Sequence, residues 1–384
     1  MKMMQGEKLL SISWRAMGKI RKGEIKLPNG ADVTDFLSSG GVIDDQKENK
    51  ANIIRGLNIW DTPYDPVEWA IKDMIPMRKK TVAVGDFEAG KSYLYLGAAL
   101  SLAAGKAGYL GFEIPKQRKV LYVDLENGKD ETIKRINKLT QGHEIDKYKC
   151  NETFSLITKP GDFEEVFPMI IAEVEAFCPD VIIIDNLYQL SGSSNIADAD
   201  KIKPLLANIE GLRSRRESAV VLIHHFNKNT QDQGITEERM AGSSTINWWY
   251  EFCTMLVKTN RNFSLYAVGK SRMDNKNPGI YGIEINDAKL GGIMVECGGL
   301  VSSDKVKGLL IPEMQKLKWE KHLERMADKF ETHEWLNVCG DSDGESISDV
   351  TAKRWLKEMV SVGMLEKLSH GRYNKTKMSF YDDF

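Results

Sequence analysis

Cysteine is scarce in this 384-residue chain. The five present (Cys150, Cys178, Cys253, Cys297 and Cys339) are scattered, with no C-x-x-C pair. That pattern argues against zinc and for a reducing, cytoplasmic compartment. No apolar run reaches the roughly 18 residues a membrane span requires, so no membrane association is expected. The opening MKMMQGEKLL lacks the continuous apolar core and small-residue cleavage site of a secretory leader. Neither sign of charge dominates, since 53 Lys+Arg against 55 Asp+Glu leaves −2. This balance excludes a globally basic nucleic-acid binder but permits local basic loops. Repeats, low-complexity tracts and an H-E-x-x-H motif are all missing. The composition is that of a globular protein long enough for about two or three domains.

What is present centres on TVAVGDFEAGKS, Thr81 to Ser92. A β-branched run is followed by Gly85, four residues, and Gly90-Lys91-Ser92, which meets the phosphate-loop pattern G-x-x-x-x-G-K-[ST]. The glycines let consecutive backbone N–H groups turn towards phosphate oxygens. Lys91 is expected to reach the β- and γ-phosphates, and Ser92 to offer its hydroxyl to Mg²⁺. The helix begun by YLYLGAALSLAAG would aim its positive end at the same phosphates. The predicted binding residues are Gly85, Asp86, Phe87, Glu88, Ala89, Gly90, Lys91, Ser92 and Tyr93, with ATP and Mg²⁺ as cofactors. The competing reading is a chance Gly-rich turn.

Residues 1–75 read as an N-terminal extension, partly helical, and 76–302 as an α/β core in which strands alternate with helices. VLYVDLEN ends a strand on acidic residues, and PDVIIIDNL reads as a strand buried on both faces with Asp185 at its tip. In doubly wound sheets, ligands bind at such carboxyl ends. SGSSNIADAD (191–200) reads as a mobile polar loop. From about Leu317 the character changes. KLKWEKHLERMADKFETHEWLN reads as helix, and the remainder as helix, glycine turn and a basic wing. Residues 317–384 are therefore expected to form a small, mostly helical, winged-helix-like domain, with Lys353, Arg354, Lys357, Lys367, Arg372, Lys375 and Lys377 clustered for nucleic acid or a partner; a helical lid is the alternative.

Asp185 is the expected metal-side carboxylate beside Ser92, with a turn cap as the bland alternative. Hydrolysis needs a residue to orient or deprotonate water. Glu126 is the candidate, on a strand expected beside the phosphate-loop strand. Asp124 competes, and a merely solvated acidic turn is the third possibility. His224 and His225 are adjacent on a strand and point to opposite faces, so they do not make a metal pair. A γ-phosphate sensor at the strand tip is the functional reading, and core histidines the structural one. Trp248 and Trp249 could stack on bases, though burial in the core is the favoured expectation.

The order GDFEAGKS, VLYVDLENGKDETIKRI, VIIIDNL, VVLIHHFNK, MAGSS and VGKSR resembles the RecA-like ATPase core of plasmid RepA-type hexameric replicative helicases, cousins of the DnaB-type and phage primase–helicase motors. The resemblance covers roughly residues 78–300. It implies a RecA-like P-loop fold, a homohexameric ring, single-stranded DNA in the channel, and a separate primase or other replication proteins as partners. By it, Lys91 and Ser92 contact nucleotide and metal, Glu126 is the catalytic glutamate, and Asp185 is the second metal-side carboxylate. His225 falls at the sensor position, Asn227 and Lys228 open a DNA-facing loop, and Lys270 with Arg272 reach the neighbouring subunit's site. Met240 to Ser244 follow Arg239 in a register shifted from the relatives' Arg-Gly-Ser-Ser, which leaves Arg239 and Arg272 both open as the finger in trans. The N-terminal segment resembles the stretch that follows a Toprim primase domain, whose carboxylate-bearing body is not in the sequence, so no primase activity is expected. A recombination or loading ATPase and a nucleotide-switched DNA-binding regulator are the alternatives.

Overall fold

The computed structural model describes residues 2–5, 8–11, 66–158, 163–192, 196–227, 230, 233–273, 278–288, 291–341 and 347–376. Residues 1–65 and 66–384 form two compact units. In the first, β1 (Lys2–Gln5) and β2 (Lys8–Ser11) pair antiparallel. The rest of the N-terminal extension that is expected to be partly helical, residues 12–65, lies outside the described residues.

The second unit opens with β3 (Trp69–Ile71) and β4 (Ile75–Pro76), followed by β5 (Lys80–Gly85) and α1 (Lys91–Ala103). After the small ribbon β6 (Gly108–Tyr109) and β7 (Phe112–Glu113), strands and helices alternate: β8 (Val120–Asp124), α2 (Lys129–Gly142), β9 (Phe154–Thr158), α3 (Phe163–Phe177) and β10 (Val181–Asp185). There follow α4 (Leu187–Leu190), α5 (Ala199–Arg216), β11 (Ala219–His225) and α6 (Ser244–Trp249), then the run β12 (Phe252–Lys258), β13 (Phe263–Ser271), β14 (Ile280–Asp287) and β15 (Ile293–Leu300). Nine strands share one sheet in the order β15-β14-β13-β12-β5-β11-β10-β8-β9. From β12 to β9 every pairing is parallel, and β13 to β15 extend the sheet antiparallel.

The period of two along each strand divides the core between the faces of this sheet. Val181 and Ile183 of β10 join the cluster around α1, while Ile182 and Ile184 join the cluster under α3 and α5. All four are fully buried. Each contributes about 1.5–3 kcal/mol of apolar burial, which only a strand covered on both faces can collect. The same alternation runs through Ala219 to Ile223. Ala70, Ile71, Met74 and Ile75 belong to the α1 cluster, so the core begins before residue 76. The apolar residues of the WAIKDMIP hairpin place it there.

Beyond β15 come α7 (Ser303–Leu309), α8 (Glu313–Leu323), β16 (Lys329–Glu331), α9 (Thr332–Gly340), α10 (Asp349–Ser361), β17 (Leu365–Ser369) and β18 (Arg372–Lys375). The stretch expected to be continuous helix is split by β16, whose Phe330 packs against Trp335 in the core of this module. β16, β18 and β17 form a three-stranded antiparallel sheet, giving the helix–strand–helix–helix–hairpin order of a winged helix. On α10, Ala352, Trp355, Leu356 and Met359 face inward at helical spacing, whereas Lys353, Arg354 and Lys357 are exposed. Lys377 lies outside the described residues. Among the described residues, no helix is long and apolar enough to cross a membrane.

Candidate nucleotide site

The parallel strands end in register. His225 of β11 stands opposite Gly85 of β5, and Asp185 of β10 opposite both Ile223 of β11 and Asp124 of β8. Residues just past these ends therefore converge on one edge of the sheet.

The phosphate loop needs its glycines for two different reasons. Gly85 passes so close to β12 that a methyl group would collide with the main-chain oxygen of Leu256. Gly90 takes φ 92°, a left-handed conformation that costs glycine little and that directs the N–H groups opening α1 inward. Ser264 Oγ donates to Ala89 O at 2.9 Å and fastens the loop to β13. Lys91 is buried, and its ammonium donates to Gly85 O at 3.0 Å and Asp86 O at 2.6 Å. Burial pulls its pKa down to about 8, against the opposing charges of Asp185, Asp86 and Glu126. Ser92 opens α1 beside it. Phe87 is exposed, with its ring 6.1 Å from that of His225, and Glu88 is exposed and pairs with Lys258 at 3.5 Å. Tyr93 lies under the Arg135 guanidinium, 5.2 Å from ring centre, so α2 holds it.

Asp185 is buried and accepts from Tyr122 Oη at 2.9 Å through Oδ2, while its Oδ1 has no hydrogen-bond partner. Burial raises its carboxyl to about 6, against the opposing pull of the Ser92 and Tyr122 hydroxyls and with the like charges of Asp124 and Glu126 adding to the rise. An orphaned, buried carboxylate oxygen beside a helix-opening serine suits a hard divalent cation.

Glu126 is not next to the phosphate-loop strand as expected, because β11 and β10 lie between β8 and β5. Strand order is set by long-range pairing that no local pattern encodes. Glu126 is nevertheless exposed at the site's edge, where Asn186 Nδ2 donates to its Oε2 at 2.8 Å. Asp124 is removed as a competitor. It is buried and accepts from the backbone N–H groups of Glu126 and Asn127 at 3.1 and 2.9 Å and from Thr132 Oγ1 at 2.7 Å, so it builds the turn that carries Glu126.

The two histidines diverge as strand neighbours should. His224 is fully buried, and its Nε2 donates to Ala241 O at 2.7 Å. His225 Nε2 lies 3.3 Å from Asn186 Nδ2. Asn186, which no sequence motif singles out although it directly follows Asp185, thus touches both the candidate glutamate and the candidate sensor. Burial lowers both imidazoles to about 4 from 6.5. The unfolded chain protonates both near 6.5, so stability is lost as pH falls from about 6.5 towards 4. Asp185 has the opposite sign, since its raised carboxyl favours the folded state at low pH and that contribution is lost as pH rises towards 6. His143, away from the site, is lowered to about 4 as well, by burial and then by the Lys106 charge. Three imidazoles outweigh one carboxyl, so the melting temperature without nucleotide is expected to fall as pH drops through this window. His224→Gln should flatten the decline; an unchanged slope would assign the acid sensitivity elsewhere.

The basic candidates separate. Arg239 is fully buried and pairs with Asp86, so it is not available to a neighbouring subunit. Lys270 does not reach outward either: its ammonium donates to Asn247 O at 2.7 Å and sits 4.8 Å from the Tyr250 ring centre. Arg272 is exposed, with Nη2 3.3 Å from Trp248 O. The tryptophan pair splits, Trp248 being 77% exposed while Trp249 is half-buried, its Nε1 donating to Leu206 O at 3.2 Å. Asn227 is described, whereas Lys228 and Ser193 to Asn195 of the expected mobile loop lie outside the described residues.

A family model described as an AAA domain matches residues 58–231. No curated protein matches the chain. Among solved structures, a KaiC-like protein from the hyperthermophilic archaeon Pyrococcus horikoshii OT3 is similar at 14% identity and a TM-score of 0.44, over 60% of this chain and 99% of that one. The core of this chain is a mixed parallel and antiparallel sheet flanked by helices, with a phosphate loop at the tip of a central parallel strand and acidic side chains at the tips two and three strands away, and over residues 58–231 it is similar to the AAA domain family.

Proposed function

We propose that the chain is a ring-forming, ATP-dependent DNA motor, a replicative helicase of a phage, plasmid or mobile element, that hydrolyses ATP at subunit interfaces to translocate on single-stranded DNA. The observation that carries this reading is the bridge made by Asn186 between Glu126 and His225. It joins the group that would activate water to the strand tip from which the 227–240 segment departs, as coupling of hydrolysis to movement requires. In this reading Ser92 and Asp185 hold Mg²⁺, which would neutralise charge on the β- and γ-phosphates. Lys91 binds the phosphates, and Glu126 orients the attacking water. Exposed Arg272 is the finger offered to the next protomer, and Lys270 positions the helix C-terminus beside it.

A nucleotide-switched DNA-binding regulator is the second reading, favoured by the exposed Lys353, Arg354 and Lys357 on one helix of the winged-helix module. ATP turnover with and without single-stranded DNA, followed together with light scattering, separates the two. DNA-stimulated turnover by a closed species of about six subunits is expected. Slow, DNA-indifferent turnover by a monomer or dimer would sink the motor and leave the regulator.

A further inference from the structure

Arg239 comes from a stretch, GITEERMAGSS, that reads as a polar loop, yet its side chain is among the largest fully buried ones in the described protein. Each nitrogen of its guanidinium donates a hydrogen bond. Nη2 donates to Asp86 Oδ1 in the phosphate loop, Nη1 to Gly234 O at 2.8 Å, and Nε to Thr230 Oγ1 at 3.3 Å. The planar group lies 4.3 Å from the centre of the Phe226 ring. Its own backbone carbonyl accepts from Asn227 N at 2.6 Å, and Ala241 N donates to His225 O at 3.0 Å. The chain therefore leaves the tip of β11 and returns antiparallel beside it through the Phe226–Met240 bridge, with Arg239 next to that bridge.

Asp86 is the second half of the device. Its other oxygen, Oδ2, accepts from Lys258 N at 2.9 Å at the end of β12. One carboxylate inside the phosphate loop thus ties together that loop, the strand on one side of β5, and the root of the 227–240 segment on the other. Burying a guanidinium and a carboxylate is costly in itself, and hydrophobic residues of similar volume would often do as well for stability alone. What an ion pair adds is direction, since the planar fork fixes where Asp86 stands.

We propose that Arg239 is a positioning residue for ATP binding: through Asp86 it sets the phosphate loop, and through its own backbone it makes the 227–240 segment respond to what that loop holds. It acts within its own chain and is not the finger for a neighbour. The inference rests on the nucleotide site described above and not on DNA or on ring formation.

The test uses the full chain and a fluorescent ATP analogue with Mg²⁺. Asp86→Asn and Arg239→Met are each expected to weaken binding by about tenfold, and the double variant by no more than the worse single, because the pair acts as one coupled unit. Arg239→Lys should recover only part, since an ammonium lacks the fork. Should Arg239→Met fail to fold, the double variant, which leaves no lone buried charge, carries the measurement. Hydrogen exchange supplies a readout that a mere brace would not move. In the wild type, analogue binding should slow exchange at Met240 and Ala241, and in the double variant that slowing should vanish. Wild-type affinity in a folded double variant, or slowing that persists in it, overturns the proposal. So does recovery of turnover on mixing Arg239→Lys with Lys91→Ala subunits, which would move Arg239 to a neighbour's site. A wild type that binds no analogue would instead bring down the nucleotide site itself.

Discussion

Glu126→Gln is expected to bind ATP with near wild-type affinity and to hydrolyse it about 10²–10⁴ times more slowly. The amide keeps the shape of the side chain and can still accept from Asn186 Nδ2, which in the wild type stands 2.8 Å from Oε2. What it loses is the negative charge that draws a proton from water. Asp124→Asn is the control. That carboxylate is spent on two backbone N–H groups and Thr132, so its loss should lower the melting temperature and disturb turnover only through the turn. Single-turnover hydrolysis alongside a binding titration separates loss of chemistry from loss of binding. Turnover retained in the Glu126 variant would remove it from the chemistry.

Lys91→Ala should cost on the order of 10²–10³ in turnover, with most of the loss visible already in nucleotide binding. The lysine donates to two phosphate-loop carbonyls and is buried beside Asp185, so it marks the place where a phosphate charge would be met. Its pKa of about 8 against an ordinary 10.5 means that the folded state holds this charge unwillingly at neutral pH. The variant is therefore expected to melt no lower than wild type without nucleotide and to lose the stabilisation that ATP confers. A variant that melts far lower without nucleotide would make Lys91 a structural residue first. This is the pattern of a group retained for function at a cost in stability.

The parts legible in the sequence are those whose physics is local. The G-x-x-x-x-G-K-S spacing, the four-residue branched run ending at Asp185, and the alternation that buries it on both faces need only neighbours along the chain. Strand order is not legible, because β5 pairs with residues far downstream, and so Glu126 reads as sitting on an adjacent strand when two strands intervene. Asn186 carries one faint signal, its place directly after the buried aspartate. Arg239 is marked only as a possible finger for a neighbour, and nothing local signals its burial against Asp86. An arginine in a polar stretch looks solvated until Asp86, 153 positions away, comes to meet it. The tryptophan pair divides for a similar reason: a short helix turns one ring inward and leaves the other out, and the sequence does not say which.

The strand order also governs when the site can exist. β5 is flanked by β11 and β12, so the segment carrying the phosphate loop is paired on neither side until residues 219–225 and 252–258 arrive. A nascent chain that has emerged only through β10 already contains the phosphate loop, Glu126 and Asp185, but its central strand presents two bare edges. Such edges invite pairing with other chains, and parallel closures across long separations are slow to form. Nucleotide would find the site unfinished at this early stage, because His225, Arg239 and the Leu256 carbonyl against which Gly85 rests all lie beyond it. The candidate nucleotide site is therefore completed late and all at once, when β11 and β12 seat on either side of β5.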